Sequence, residues 1–177
     1  YNVQSVRSDD DALAAQDATK IQILKRLDNV DVNANPKLKA LVLRHLARNK
    51  GTEEYVDLVD QFDIRDVHDE LATLAATRPT DNVGVKAARI LLRLDGRDHL
   101  LKTIDGQDAA AALNTLTAVG HVGDKAANDL LLNIINDTSR SVPVRGGAVR
   151  ALATSGAGQK TLLAMVETEK MPPLLAP

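Results

Sequence analysis

The stretch Val144-Arg145-Gly146-Gly147-Ala148-Val149-Arg150-Ala151-Leu152 most narrows what this chain can become. Its small residues recur at helical spacing, and small side chains on one helix face let a neighbouring helix come close. The run closes on Gly156 and is followed at once by a second apolar-periodic run, Leu162 to Val166. A looser copy, Val85-Lys86-Ala87-Ala88-Arg89-Ile90-Leu91-Leu92, lies upstream and closes on Gly96. The chain therefore reads as a string of related helical hairpins, which bury their apolar stripes only by stacking.

Periodicity extends this reading along the whole chain. Asp9-Asp10-Asp11 suit a helix N-terminus, and Ala14, Ala18, Ile21, Leu24 and Leu27 continue that helix to about Leu27. Asn29 to Asn35 is turn-forming, and Pro36 sits where a first helical residue tolerates a missing N–H. Leu38, Leu41, Val42, Leu46 and Ala47 form the next stripe, stopped by Gly51; Thr52 then caps a helix with Val56, Val59 and Phe62 on its buried side. Gly120 is placed as the residue that closes a helix carrying Ala109, Ala112, Leu113, Leu116 and Val119. No strand-like alternation survives beyond a few residues, so the expected fold is all-α, an α-α superhelix of about five hairpins filling residues 1–177 as a single domain. Helices are expected to pair as 53–62 with 66–78, 83–94 with 97–104, 107–119 with 124–137 and 143–154 with 158–168, plus an N-terminal pair.

Composition narrows the function classes. Tyr1, Tyr55 and Phe62 are the aromatic residues of a chain that is 44% hydrophobic, so the core is built from Ala, Leu, Val and Ile, which favour close packing over a wide cavity. Lys and Arg total 22 against 24 Asp and Glu, a net charge of −2 that offers no global field to hold nucleic acid. The absence of cysteine removes disulfides, thiolate metal sites and Cys nucleophiles together. No run approaches the roughly 20 apolar residues of a membrane span. The chain starts Tyr1-Asn2-Val3 and ends Leu174-Leu175-Ala176-Pro177, and it reads as a segment of a longer precursor.

Candidate chemistry is sparse. His45, His68, His99 and His121 form no i, i+4 pair, and the adjacent His68-Asp69-Glu70 diverge around a helix by about 100° per residue. Asp9-Asp10-Asp11 lacks the alternating spacing of a calcium loop. Gly146-Gly147 lies inside a predicted helix, where close helix contact explains it better than phosphate binding, and Gly120-His121-Val122-Gly123 and Ser155-Gly156-Ala157-Gly158 read as turns. Ser139 and Ser141 have no nearby His in sequence. Lys86, Arg89 and Arg93 share a helix face with Arg97 just beyond, and Arg140, Arg145 and Arg150 extend this patch if repeats stack in register. Asn128, Asp129, Asn133 and Asn136 form a polar helix side, of which Asp129, Asn133 and Asn136 are candidates for an exposed face. In the nonapeptide, Val144, Ala148, Ala151 and Leu152 are packing positions, and Arg145 and Arg150 are surface or inter-repeat charges. No catalytic, cofactor-binding or metal-binding residue is assigned.

At Val144 to Leu152 the chain resembles HEAT-type repeat proteins, whose helices read Val-Arg-x-x-Ala-x-x-Ala-Leu; the copy from Val85 departs at Arg89 and Leu92. Glu53 to Phe62, Gly84 to Leu92, and Val144 through Gly158 to Leu163 and Pro172 resemble the helical segment of large exported bacterial proteins. Those proteins, frequent in planctomycetes, verrucomicrobia and Bacteroidetes, carry a c-type haem-binding domain and often a sugar-dehydrogenase-like propeller. The resemblance implies a non-catalytic α-solenoid, periplasmic or secreted, that presents a surface to neighbouring domains or another protein. It carries no haem to this chain, which lacks Cys-x-x-Cys-His. HEAT-like iron hydroxylases need His-Glu pairs, which are absent here. The alternatives are a HEAT-like enzyme of the DNA glycosylase or pigment lyase type, and a passive inter-domain spacer.

Overall fold

Caps and turn residues account for most helix boundaries. The computed structural model describes residues 3–27, 30–168 and 170–172, and these hold ten α-helices and no strand. The chain divides into two compact units, Tyr1–Ile64 and Arg65–Pro177.

The first unit contains α1 (Val3–Leu24), α2 (Pro36–Arg48) and α3 (Glu53–Gln61). Asn35 caps α2 by accepting from the amides of Lys37 and Leu38, with Pro36 as the first helical residue, as the sequence suggests. Thr52 caps α3 by accepting from the Tyr55 amide at 3.1 Å. The expected cap at Asp9-Asp10-Asp11 is wrong, because α1 begins at Val3 and these aspartates lie inside it. Asp10 and Asp11 are exposed, and a solvated aspartate inside a helix costs only about 0.7 kcal/mol relative to alanine, so nothing stops the helix from starting earlier. Ile21, Val42, Leu46, Tyr55, Val56 and Leu58 form the core of this unit. Asn33 Nδ2 donates to the Phe62 carbonyl at 2.9 Å and ties the α1–α2 connection to the end of α3.

The second unit contains α4 (His68–Thr77), α5 (Asn82–Arg93), α6 (Arg97–Ile104), α7 (Ala109–Val122), α8 (Lys125–Asn136), α9 (Val142–Leu152) and α10 (Gly156–Glu167). Within it α4 packs on α7 and α7 on α9, while α5 and α8 flank this series and α6 rests mainly on α7. The pairing differs from the sequence expectation. The most extensive partner of α4 in this unit is α5, and α5 packs more on α4 and α7 than on α6.

One joint recurs. Gly84 is the third residue of α5, and a Cβ there would lie 1.9 Å from the Arg78 carbonyl oxygen at the end of α4. Gly158 is the third residue of α10, and a Cβ there would lie 1.9 Å from the Leu152 carbonyl oxygen at the end of α9. At both joints the missing side chain lets the second helix fold back tightly over the end of the first.

Gly120 does not close its helix. It is buried inside α7, where a Cβ would lie 2.5 Å from the Ala151 carbonyl oxygen of α9, and Gly123 at φ 65° ends the helix in its place. Both glycines suit a left-handed cap by residue type, so the close α7–α9 crossing decides between them. Two aspartates take the same left-handed role elsewhere: Asp63 (φ 51°) and Asp95 (φ 61°) follow α3 and α5. There the Ile64 and Gly96 amides reach back to the Val59 and Leu91 carbonyls, at 3.2 and 2.7 Å.

Candidate functional site

Grooves among the described residues of the second unit are shaped by where its helices meet. The first, about 410 Å³, lies among α4, α6 and α7, lined by Ala72, Thr73, Ala76 and Thr77, by His99, Lys102 and Thr103, and by Asp69 and Ala111. The second, about 320 Å³, lies between α7 and α9, lined by Leu113, Thr117, Gly147, Arg150, Ala151 and Thr154. Thr73, Thr77, Thr103 and Thr117 each donate their hydroxyl to the carbonyl four residues back on their own helix. The Thr154 hydroxyl donates to the Ala151 carbonyl at 2.7 Å. With those donors used internally, the first groove offers methyl groups beside Asp69, His99 and Lys102, and the second offers methyl groups and one flanking cation, Arg150. Neither cation has an ion-pair partner among the described residues.

A histidine pair stands at the first groove. The rings of His68 and His99 meet edge to face with centroids 5.2 Å apart, and His99 Nδ1 lies 2.9 Å from Asp69 Oδ1. His68 Nε2 is buried without a hydrogen-bond partner. Burial, and after it the neighbouring His99 and Arg65, push the His68 pKa below the ordinary histidine value, against a smaller opposing pull from Asp66 and Asp69. His68 is thereby held neutral near pH 7. Asp69 and Glu70 do not join the rings around an ion: among the described residues no group of three His, Cys, Asp or Glu side chains could hold a metal. The nearby hydroxyls of Thr73 and Thr103 donate to backbone carbonyls rather than to the His99–Asp69 pair.

The third groove, about 410 Å³, is lined by Asp105, Asp137, Ser139, Arg140 and Ser141 among others. Arg140 bonds both Asp105 and Asp137, and the Ser139 hydroxyl donates to Asp137 at 2.6 Å. Hydrogen bonds from Ser139, then Arg140, hold the Asp137 carboxyl below the usual range. With both carboxylates facing Arg140, this loop is a closed structural clasp with no charge left for an anion.

The basic face of α5 is not extended through Arg140 and Arg145. Arg140 is ion-paired, Lys86 and Arg93 have interactions of their own, and Arg145 is buried at 5% exposure. Arg89, Arg97 and Arg150 stay exposed. Arg145 is thus no surface charge; its Nε donates to the Ile135 carbonyl at 2.9 Å and caps the C-terminal end of α8 from α9, the inter-helix role. Val144 is only half-buried, while Ala148, Ala151 and Leu152 are core residues as expected. Gly147 bears out close helix contact, since a Cβ there would lie 2.7 Å from Leu113 Cδ2. Gly120 to Val122 belong to α7 and are no turn, and His121 is exposed on that helix. Asp129, Asn133 and Asn136 are exposed, with Lys125 paired to Asp129 at 2.6 Å, but Asn128 is buried beside Leu131 and Ile135 on the apolar side.

Sequence reading missed one charged centre. Asp17 of α1 is fully buried and accepts from Arg44 Nε and Nη2 at 3.1 and 3.0 Å and from Arg48 Nη1 at 3.1 Å. The Arg44 hydrogen bond is the main cause that holds the Asp17 carboxyl below its ordinary value, against the cost of burial. The signal was present: Asp17 stands four and seven residues before Ile21 and Leu24, inside an apolar stripe, and Arg44 and Arg48 are four apart on one face. His45 in the same unit lies 3.7 Å from Glu54, too far for a hydrogen bond.

Comparison with protein-family models, with curated proteins and with solved structures finds no match for this chain. No helix among the described residues is long and apolar enough to cross a membrane.

Proposed function

We propose that this chain is a non-catalytic α-solenoid of HEAT type that serves as a scaffold or docking module for neighbouring domains or another protein. The observation that carries the reading is the repeated joint at Gly84 and Gly158, set in a unit whose α4, α7 and α9 pack in series. The same joint at α4–α5 and again at α9–α10 gives both helix pairs the same tight offset, and pairs built alike suit stacking into an elongated surface rather than a closed pocket. The methyl-lined grooves beside α7 suit a packed protein surface, and the dispersal of the basic residues weighs against a polyanion. The resemblance of Glu53–Phe62 and Val144–Leu163 to exported bacterial proteins supports a periplasmic or secreted parent.

Deleting residues 1–177 from the parent polypeptide is expected to disturb assembly or partner capture while the isolated catalytic domain keeps its turnover. Turnover of a substrate by the purified chain itself would overturn this reading. A salt-dependent DNA shift assay tests the glycosylase alternative, which requires binding at low salt.

A further inference from the structure

Helices α8 and α10 can be compared position by position without a gap. Both have 12 residues, and both follow a cap whose side chain accepts from the third helical amide, Asp124 from Ala127 and Ser155 from Gly158. Leu131, Leu132, Ile134 and Ile135 of α8 therefore correspond to Leu162, Leu163, Met165 and Val166 of α10. In α8 this side is covered by α9, and Leu131, Ile134 and Ile135 are at most 1% exposed. In α10 it is open: Leu163 is 59% and Val166 51% exposed, and Leu162 and Met165 are only half-buried. Among the described helices, α10 has one substantial packing partner, α9.

We propose that this open side of α10 docks one amphipathic helix of a partner polypeptide, running antiparallel to α10 and carrying a basic residue in its first turn. The geometry is that of the α8–α9 contact, continued one step. There, Arg145 from the first turn of α9 caps the Ile135 carbonyl at the end of α8. The residue of α10 that matches Ile135 is Val166, whose carbonyl already accepts from the Thr168 amide, and the next, Glu167 in place of Asn136, is exposed, has no ion pair among the described residues and is the acceptor left for a cation there. A carboxylate added to the negative end of a helix strengthens the demand for a cation at that point. The proposal rests on the scaffold reading and adds to it the surface and the chemistry of the partner.

The test uses the 177-residue chain and a fluorescein-labelled peptide of residues 139–154 carrying Gly147→Ala. In α9 Gly147 faces α7, where a Cβ would lie 2.7 Å from Leu113 Cδ2, the mobile end of a side chain, so this change handicaps the probe only slightly as a replacement for α9, and the Val166→Asp comparison is what places binding on α10. Saturable anisotropy is expected, weakened at least about tenfold by Val166→Asp in the chain, because a carboxylate then enters an apolar contact. Arg145→Ala in the peptide is expected to weaken it about fivefold. Val166 is half-exposed, so its substitution leaves the fold intact, which an unchanged circular dichroism melt verifies. Absence of binding, or equal binding by the Val166→Asp chain, overturns the proposal. So does a concentration-dependent dimer of the unmodified chain that Val166→Asp abolishes, since the occupant is then a second copy. None of these outcomes touches the scaffold reading, which is decided by turnover and deletion.

Discussion

Replacing Gly120 by alanine sets a helix-propensity gain against a steric cost, and the structure decides the sign. The gain is about 1 kcal/mol, the usual difference between glycine and alanine inside a helix. The added methyl, however, would lie 2.5 Å from the Ala151 carbonyl oxygen and 2.9 Å from its Cα, both backbone atoms of α9 that no rotamer change can move aside. Relief requires α7 and α9 to separate by about 0.5–1 Å, which forfeits a quarter to a half of the dispersion energy along the seam. That seam holds Leu116, Val119, Ala148 and Leu152, all fully buried. A gross cost of about 3–4 kcal/mol, less the propensity gain, leaves Gly120→Ala destabilising by about 2–3 kcal/mol, at the upper end for overpacked cores. Urea titration followed by circular dichroism at 222 nm should show a lower midpoint for the second unit with an unchanged slope. Gly156→Ala is the control: it is also helical but has nothing within 4 Å of its would-be Cβ, so it should stabilise by up to about 1 kcal/mol. A neutral or stabilising Gly120→Ala beside a stabilising Gly156→Ala would refute the claim that helix approach dictates this glycine.

Asp17→Asn removes the charge that Arg44 and Arg48 share, and because both arginines can return to water the expected loss is about 1–3 kcal/mol, read from the chemical denaturation of the first unit. The depressed Asp17 pKa sets the pH dependence: its contribution is fully present above the unfolded value of about 3.9 and is lost as pH falls through the lower folded value, so the variant should lose less stability than the unmodified chain in that acid window. His68 is also depressed, but as a base: its contribution is present above about 6.5 and is lost as pH falls toward the folded value. His68→Phe should flatten the loss of thermal stability between neutral and mildly acid pH, and an unchanged slope would show that His68 titrates normally. Asp95→Gly should stabilise by about 0.5–1 kcal/mol, since glycine adopts φ 61° without strain and the exposed pair with Arg65 contributes little; a lower melting temperature would count against this.

Much of the candidate site was beyond sequence reasoning for reasons specific to its residues. His68 and His99 are 31 positions apart on α4 and α6, and no local pattern tells that these helices pack together and bring the two rings edge to face. Arg145 reads equally as a surface or an inter-repeat charge because periodicity does not tell what lies beside α9; the structure decides for the second, since α8 ends where α9 begins its first turn. Asn128 shares the polar composition of Asp129 and Asn133, yet it sits three and seven residues before Leu131 and Ile135 and is carried inward with them. Arg140 was taken out of the basic face because Asp105 and Asp137, distant in sequence, converge on it.

What the sequence determined by itself is the set of helices and most of their ends, because caps such as Asn35 and Thr52 and 3.6-residue periodicity act through neighbours a few residues away. It also determined the small aliphatic core and its close packing. The tertiary structure alone decided which helix pairs with which, which of two glycines ends α7, and which charges are buried or left open. Those outcomes depend on contacts between residues tens of positions apart, where a single carbonyl, such as that of Ala151, decides whether a side chain fits.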